Sequence, residues 1–171
     1  MVTVLVTGVG AGSERIEIIK DNFETEVCNN MPVYPLGVWG ASGSTWKNGK
    51  FSICGGLGNG VKSDCYTMDK GEWQPTKHNL ITARGYHGSS NIGNAIFITG
   101  GWSSGPRLAS TEIVHPDGKI TPGPELPQGR YGHCQVSYEE TTFILGKCIF
   151  CKKFVMLLIN DFDFKLSCQS L

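Results

Sequence analysis

An apolar strand that ends in glycine returns four times along this chain, and that recurrence constrains the fold more than any other feature. The copies read VLVTGVG at 4–10, FSICGGL at 51–57, IFITGGW at 96–102 and TFILGKC at 142–148. Their first glycines, Gly8, Gly55, Gly100 and Gly146, lie 47, 45 and 46 residues apart. Such an interval marks a supersecondary unit that cannot bury its apolar face alone and therefore stacks on its neighbours.

Other features keep the same phase. ARGYHGSS at 83–90 and GRYGHCQV at 129–136 place Arg84 and Arg130 sixteen residues, and His87 and His133 thirteen, before the next first glycine. The corresponding place in the preceding unit reads GVWGASG at 37–43. Phe23, Trp73 and Ile120 occupy the last strand of each unit, and turn text such as KGEW and PDGK precedes the later two. The short runs alternate or are wholly apolar, as in strands covered on both faces, and no long segment has helical periodicity. Glycine, at 23 of 171 residues, is about twice its usual share and is dispersed between apolar runs, which favours an all-β chain rich in turns.

The double glycine after an apolar strand, the following DCYTMD strand, the later Trp and the R-x-x-H element together resemble the kelch repeat. Gly55-Gly56 and Gly100-Gly101 match its diglycine fully, whereas Gly8-Val9-Gly10 and Gly146-Lys147 depart from it. The resemblance implies a β-propeller with one four-stranded blade per repeat, the glycine-terminated strand being the inner one, close to the axis. The expected fold is thus all-β, a kelch-type fragment over residues 1–146. About three blades fall short of the four to eight of a closed propeller, so an open arc is expected. Residues 147–171 contain no glycine and form a divergent tail outside the repeat.

The same resemblance implies roles for individual residues. Arg84 and Arg130 would border the central opening and bind acidic groups of a peptide through paired hydrogen bonds. The competing role, tying adjacent blades through backbone carbonyls, has equal weight. Trp102, in GGWSSGPR, stands in a glycine-rich connection as a recognition anchor, with Ser103 and Arg107 as polar company. Gly55, Gly56, Trp73, His87, Gly100, Gly101 and His133 are expected to be structural, the histidines through hydrogen bonds.

The implied function is a non-catalytic interaction scaffold with a protein or acidic peptide as partner, of the kind used in substrate recognition or on the cytoskeleton. The alternative is a fragment of a kelch-type enzyme, either a copper-radical oxidase or a sugar-modifying one. No catalytic, metal or cofactor residues are expected, since Tyr and His fall at repeat phases without an independent cluster. Zero net charge and a pI near 6.9 leave no basic footprint for nucleic acid. No apolar run reaches the length of a membrane span, and no leader is visible, so a cytoplasmic location is expected.

Seven cysteines, an odd number, argue against a full disulfide framework, and free, partly buried thiols are the first expectation. A Cys54–Cys65 bridge across a hairpin is the alternative for an oxidising compartment. The lone Cys148-x-x-Cys151 has no supporting context. The opening stretch VTVLVTGVGAGS invites a dinucleotide-binding reading, but Ser13 stands where G-x-G-x-x-G needs its last glycine. Arg15/Glu17 then alternate with Ile16/Ile18 like a strand, so these glycines are the first, worn copy of the repeat.

Overall fold

In the computed structural model, residues 32–46, 48–139 and 141–146 are described with their side chains, and five strands outside that range as backbone only. Three four-stranded antiparallel meanders make up most of the molecule. The first comprises β4 (Ser42–Thr45), β5 (Phe51–Cys54), β8 (Cys65–Asp69) and β9 (Glu72–Pro75). The second comprises β10 (Gly88–Ile92), β11 (Ala95–Thr99), β12 (Thr111–Val114) and β13 (Ile120–Pro122). The third joins β14 (Cys134–Tyr138) and β15 (Thr141–Leu145) to β16 (Leu157–Asn160) and β17 (Ser167–Cys168). A three-stranded sheet of β1 (Thr3–Thr7), β2 (Arg15–Ile19) and β3 (Thr25–Val27) precedes them, and a two-stranded ribbon, β6 (Leu57–Gly58) with β7 (Gly60–Val61), leaves the end of β5. None of the sheets closes into a barrel.

The sequence boundary after Gly146 falls inside the third meander, because β16 pairs with β15 in register Phe143↔Leu158 and Ile144↔Leu157. A second difference concerns strand order. The glycine-terminated strands β5, β11 and β15 are second in their sheets, not innermost. The first strands, β4, β10 and β14, are the ones that approach each other from sheet to sheet.

Those first strands are polar, and hydroxyl groups link them. Ser42 Oγ and Ser89 Oγ lie 2.7 Å apart, as do Ser90 Oγ and Ser137 Oγ, and Asn91 Nδ2 donates to the Thr45 carbonyl at 3.1 Å. Apolar residues of the second and third strands fill the space between sheets. Cys54, Cys65, Leu80, Ile96, Ile98 and Val114 form one cluster between the first and second meanders. Phe97, Leu126 and Ile144 form another between the second and third. In β11, residues 96–99 are all buried, because both faces of that strand meet a neighbouring sheet. Trp73 packs edge-on against Tyr34 and Phe51, with ring centroids 4.9 and 5.2 Å away, and its Nε1 donates to the Pro32 carbonyl. It thus fixes the segment that leads into β4, as the structural expectation for it requires.

Candidate functional site

The repeated arginine does not face a partner. Arg84 is wholly buried, and all five of its N–H donors are committed. Nη1 reaches the Gly100 carbonyl at 2.6 Å and the Ser110 carbonyl at 2.9 Å. Nη2 reaches Ser110 Oγ at 3.1 Å and Glu112 Oε1 at 2.6 Å, and Nε donates to the Thr82 carbonyl at 3.3 Å. Glu112 is buried as well and accepts the backbone N–H groups of Ile81 and Thr82. Burial pulls the Arg84 guanidinium below its ordinary value, and Glu112 opposes that pull. The peptide-binding role expected for Arg84 is therefore corrected: the side chain is a staple between sheets.

The diglycines complete that staple. Gly56 N donates to the Arg84 carbonyl at 2.8 Å and Gly101 N to the Arg130 carbonyl at 2.7 Å. Gly55 and Gly56 have φ of 66° and 107°, and Gly100 and Gly101 of 58° and 107°, a left-handed pair that any Cβ would strain. A Cβ on Gly100 would lie 2.5 Å from the Arg130 carbonyl oxygen.

Arg130 repeats the backbone half of this arrangement but not the side-chain half. It is 4% exposed, and its Nε and Nη1 have no hydrogen-bond partner. The reason is legible in the register: Glu112 stands opposite Ile98, and at the equivalent place opposite Ile144 stands Leu157. Burial also removes Arg130 from the partner-binding set.

His133 and His87 likewise share a station and differ in bonding. Thr99 Oγ1 donates to Gln135 Oε1 at 2.5 Å, so it accepts from His133 Nε2, 2.8 Å away. His87 is more deeply buried, and neither of its ring nitrogens makes a well-aligned hydrogen bond, the Arg84 backbone being the acceptor that bears on the ring, so the hydrogen bond expected there is not formed with good geometry. Burial, helped by the neighbouring guanidinium in each case, pushes His87 down to about 3 and His133 to about 4. Both rings are neutral spacers beside the diglycines at physiological pH.

An exposed row of aromatic residues lies along the turns that enter β4, β10 and β14. There the chain reads Trp39-Gly40, Gly85-Tyr86 and Tyr131-Gly132, the same two-residue station in successive units with aromatic and glycine interchanged in the middle one. The second residue of each pair is left-handed, with φ of 63° at Gly40, 54° at Tyr86 and 65° at Gly132. Backbone hydrogen bonds link the stations, from Tyr86 N to the Gly40 carbonyl at 2.6 Å and from Gly132 N to the Tyr86 carbonyl at 2.8 Å. A tyrosine at this φ is a true outlier, costing on the order of 1–2 kcal/mol relative to glycine.

The interchange has a consequence for the surface. Tyr86 stands between Trp39, at 5.5 Å between centroids, and Tyr131, at 6.1 Å, and Arg107 lies over the Tyr131 ring at 5.6 Å. Trp39 is 44% and Tyr86 37% exposed. Trp102 joins the edge of this row through paired backbone hydrogen bonds with Gly85, and its Nε1 donates to the Gly105 carbonyl at 3.1 Å. Of the residues singled out in the sequence, Trp102, Ser103 and Arg107 are half-buried at this end, while Arg84 and Arg130 are in the interior. Trp39, Tyr86 and Tyr131 were missed, although the WG, GY and YG pairs, each starting fifteen or sixteen residues before the next first glycine, carry the signal. Among the described residues, no group of three or more His, Cys, Asp or Glu is placed to hold a metal ion.

Cys54 and Cys65, opposed in the β5–β8 register, form a disulfide, so free thiols are not the state of this pair. Cys134 is free and exposed, and Cys148 and Cys151 lie outside the described residues. No helix among the described residues is long and apolar enough to cross a membrane.

No protein-family model matches the chain. No curated protein matches its sequence either. Among solved structures, that of YjhT superposes with a TM-score of 0.73 and 15% identity, over 92% of this chain and 52% of its own. This chain therefore spans about half the length of YjhT, and the likeness is one of fold.

Proposed function

We propose that this chain is a segment of a kelch-repeat β-propeller that binds a protein or peptide partner through the row Trp39–Tyr86–Tyr131, with Trp102 and Arg107 at its edge. The observation that carries the reading is Tyr86. A side chain held at φ 54° where its counterparts are glycine carries a local backbone cost, yet its ring, beside Trp39 and Tyr131, stays 37% exposed. Aromatic rings offer large, rigid contact area at little entropic cost, and the flanking arginine adds a cation for a partner's carboxylate or ring face. The repeat phase, the diglycine turns and the meander sheets support the propeller assignment.

Panning a random peptide library on the intact protein tests it. Selected peptides are expected to lose at least about tenfold in affinity on Tyr86→Gly or Trp39→Ser, a typical loss for an anchoring aromatic. Tyr86→Gly relieves the left-handed strain while removing ring contacts, so its unfolding free energy is expected to stay within about 1 kcal/mol of the parent. Binders indifferent to both substitutions would sink the assignment of this surface.

A further inference from the structure

The Cys54–Cys65 pair occupies a place with a known counterpart in the next sheet. Cys54 precedes Gly55-Gly56 as Thr99 precedes Gly100-Gly101, and Cys65 pairs with Cys54 as Thr111 pairs with Thr99. The imidazoles correspond too. A Cβ on Gly55 would meet His87 Cε1 at 2.9 Å, and one on Gly100 would meet His133 Cε1 at 3.1 Å. His133 Nε2 reaches Thr99 Oγ1, whereas neither ring nitrogen of His87, 5% exposed, makes a well-aligned hydrogen bond. A buried polar group without a partner is costly, and the sulfur in the equivalent place is tied up in a disulfide, with no S–H to offer.

We infer that Cys54, Cys65 and His87 form a reversible dithiol–disulfide site in which reduction supplies His87 with its missing hydrogen-bond partner, the Cys54 thiol. The co-reactant is a small dithiol, which reaches the sulfurs when the two sheets open locally, because Cys54 and Cys65 are 3% and 1% exposed in the closed fold. Its thiolate attacks one sulfur, the Cys54–Cys65 bond breaks, and the mixed disulfide closes onto the reductant's second sulfur. The reductant leaves oxidised by two electrons, and its two protons end on Cys54 and Cys65. The Cys54 thiol then stands to His87 Nε2 as the Thr99 hydroxyl stands to His133 Nε2. His87 follows Tyr86 directly, so the change occurs one residue from the exposed aromatic row. The site itself does not depend on what that row binds.

Two measurements on the full chain test this. Maleimide labelling with peptide mapping is expected to leave Cys54 and Cys65 unmodified in denatured, never-reduced protein and to modify both after dithiothreitol, while Cys134 labels throughout. Side-chain nitrogen NMR is expected to move one His87 resonance from an unbonded to a hydrogen-bonded position on reduction. Cys54→Thr/Cys65→Thr, which copies the sister station, is expected to give His87 a signature matching that of His133 without any reductant. Labelling of Cys54 and Cys65 without reductant overturns the proposal. So does a His87 spectrum unchanged by reduction, a result readable even if the double variant does not fold.

Discussion

Arg84 and Arg130 show how one residue at one phase acquires opposite energetic signs. Arg84 has a carboxylate, three backbone carbonyls and a hydroxyl around it, and removing it leaves Glu112 as a lone buried charge. Arg84→Met is expected to lower unfolding free energy by about 3–5 kcal/mol in urea titrations. Arg130 has orphan nitrogens already, so Arg130→Met is expected to be neutral or stabilising in the same titration. Equal losses in the two variants would refute the contrast. The buried histidines add a pH dependence. The native rings titrate at about 3 and about 4, against 6.5 for an ordinary histidine, so the unfolded chain binds more protons between roughly pH 6.5 and 3. Stability is therefore expected to fall on acidification through that window, read as a declining urea midpoint, and His87→Gln/His133→Gln is expected to flatten the slope. The phase of these residues was visible in the sequence, but their burial was not. Recurrence marks a position as structural or functional without saying which, and Glu112, the group that decides the matter for Arg84, lies 28 residues downstream.

At the scale of elements, the diglycine is the clearest case of a local signal with a tertiary cause. Its glycines turn the second strand of the first and second meanders and admit the carbonyl of the repeated arginine from the linker to the next sheet. Gly100→Ala is expected to cost about 3 kcal/mol, combining a left-handed non-glycine residue with a Cβ forced onto a backbone oxygen. Gly118→Ala, left-handed at a turn where an added Cβ meets only the Lys77 side chain and backbone nitrogen at ordinary contact distance, is expected to cost about 1 kcal/mol. Differential scanning calorimetry on the pair separates the two contributions. The strands were legible because their apolar runs are short and bounded by turns. Their order was misjudged because β4, β10 and β14 read SGST, GSSNI and CQVSY, too polar to announce themselves. These strands meet each other through hydroxyl groups instead of apolar faces, so hydrophobic pattern does not find them.

For the whole molecule, the last meander tests where the fold ends. Two of its four strands come from the stretch after Gly146 that carries no repeat signal. Deleting residues 147–171 uncovers the backbone edge of β15, and unpaired edges recruit other chains. The truncated protein is expected to associate more than the full chain, as measured by light scattering on a size-exclusion column. An unassociated, stably folded truncation would show that β16 and β17 contribute nothing. By itself, the amino-acid sequence determined the repeat, its interval, the all-β character and the glycines of each turn. These rest on local backbone preference and on the spacing of short apolar runs, both of which act within a single unit. Only the tertiary structure decided that the arginines are interior, that Cys54 meets Cys65, and that Trp39, Tyr86 and Tyr131 share one exposed row. Each of these depends on which residues neighbouring strands and sheets bring together, and burial and pairing across sheets are properties of the packed assembly, not of any one repeat.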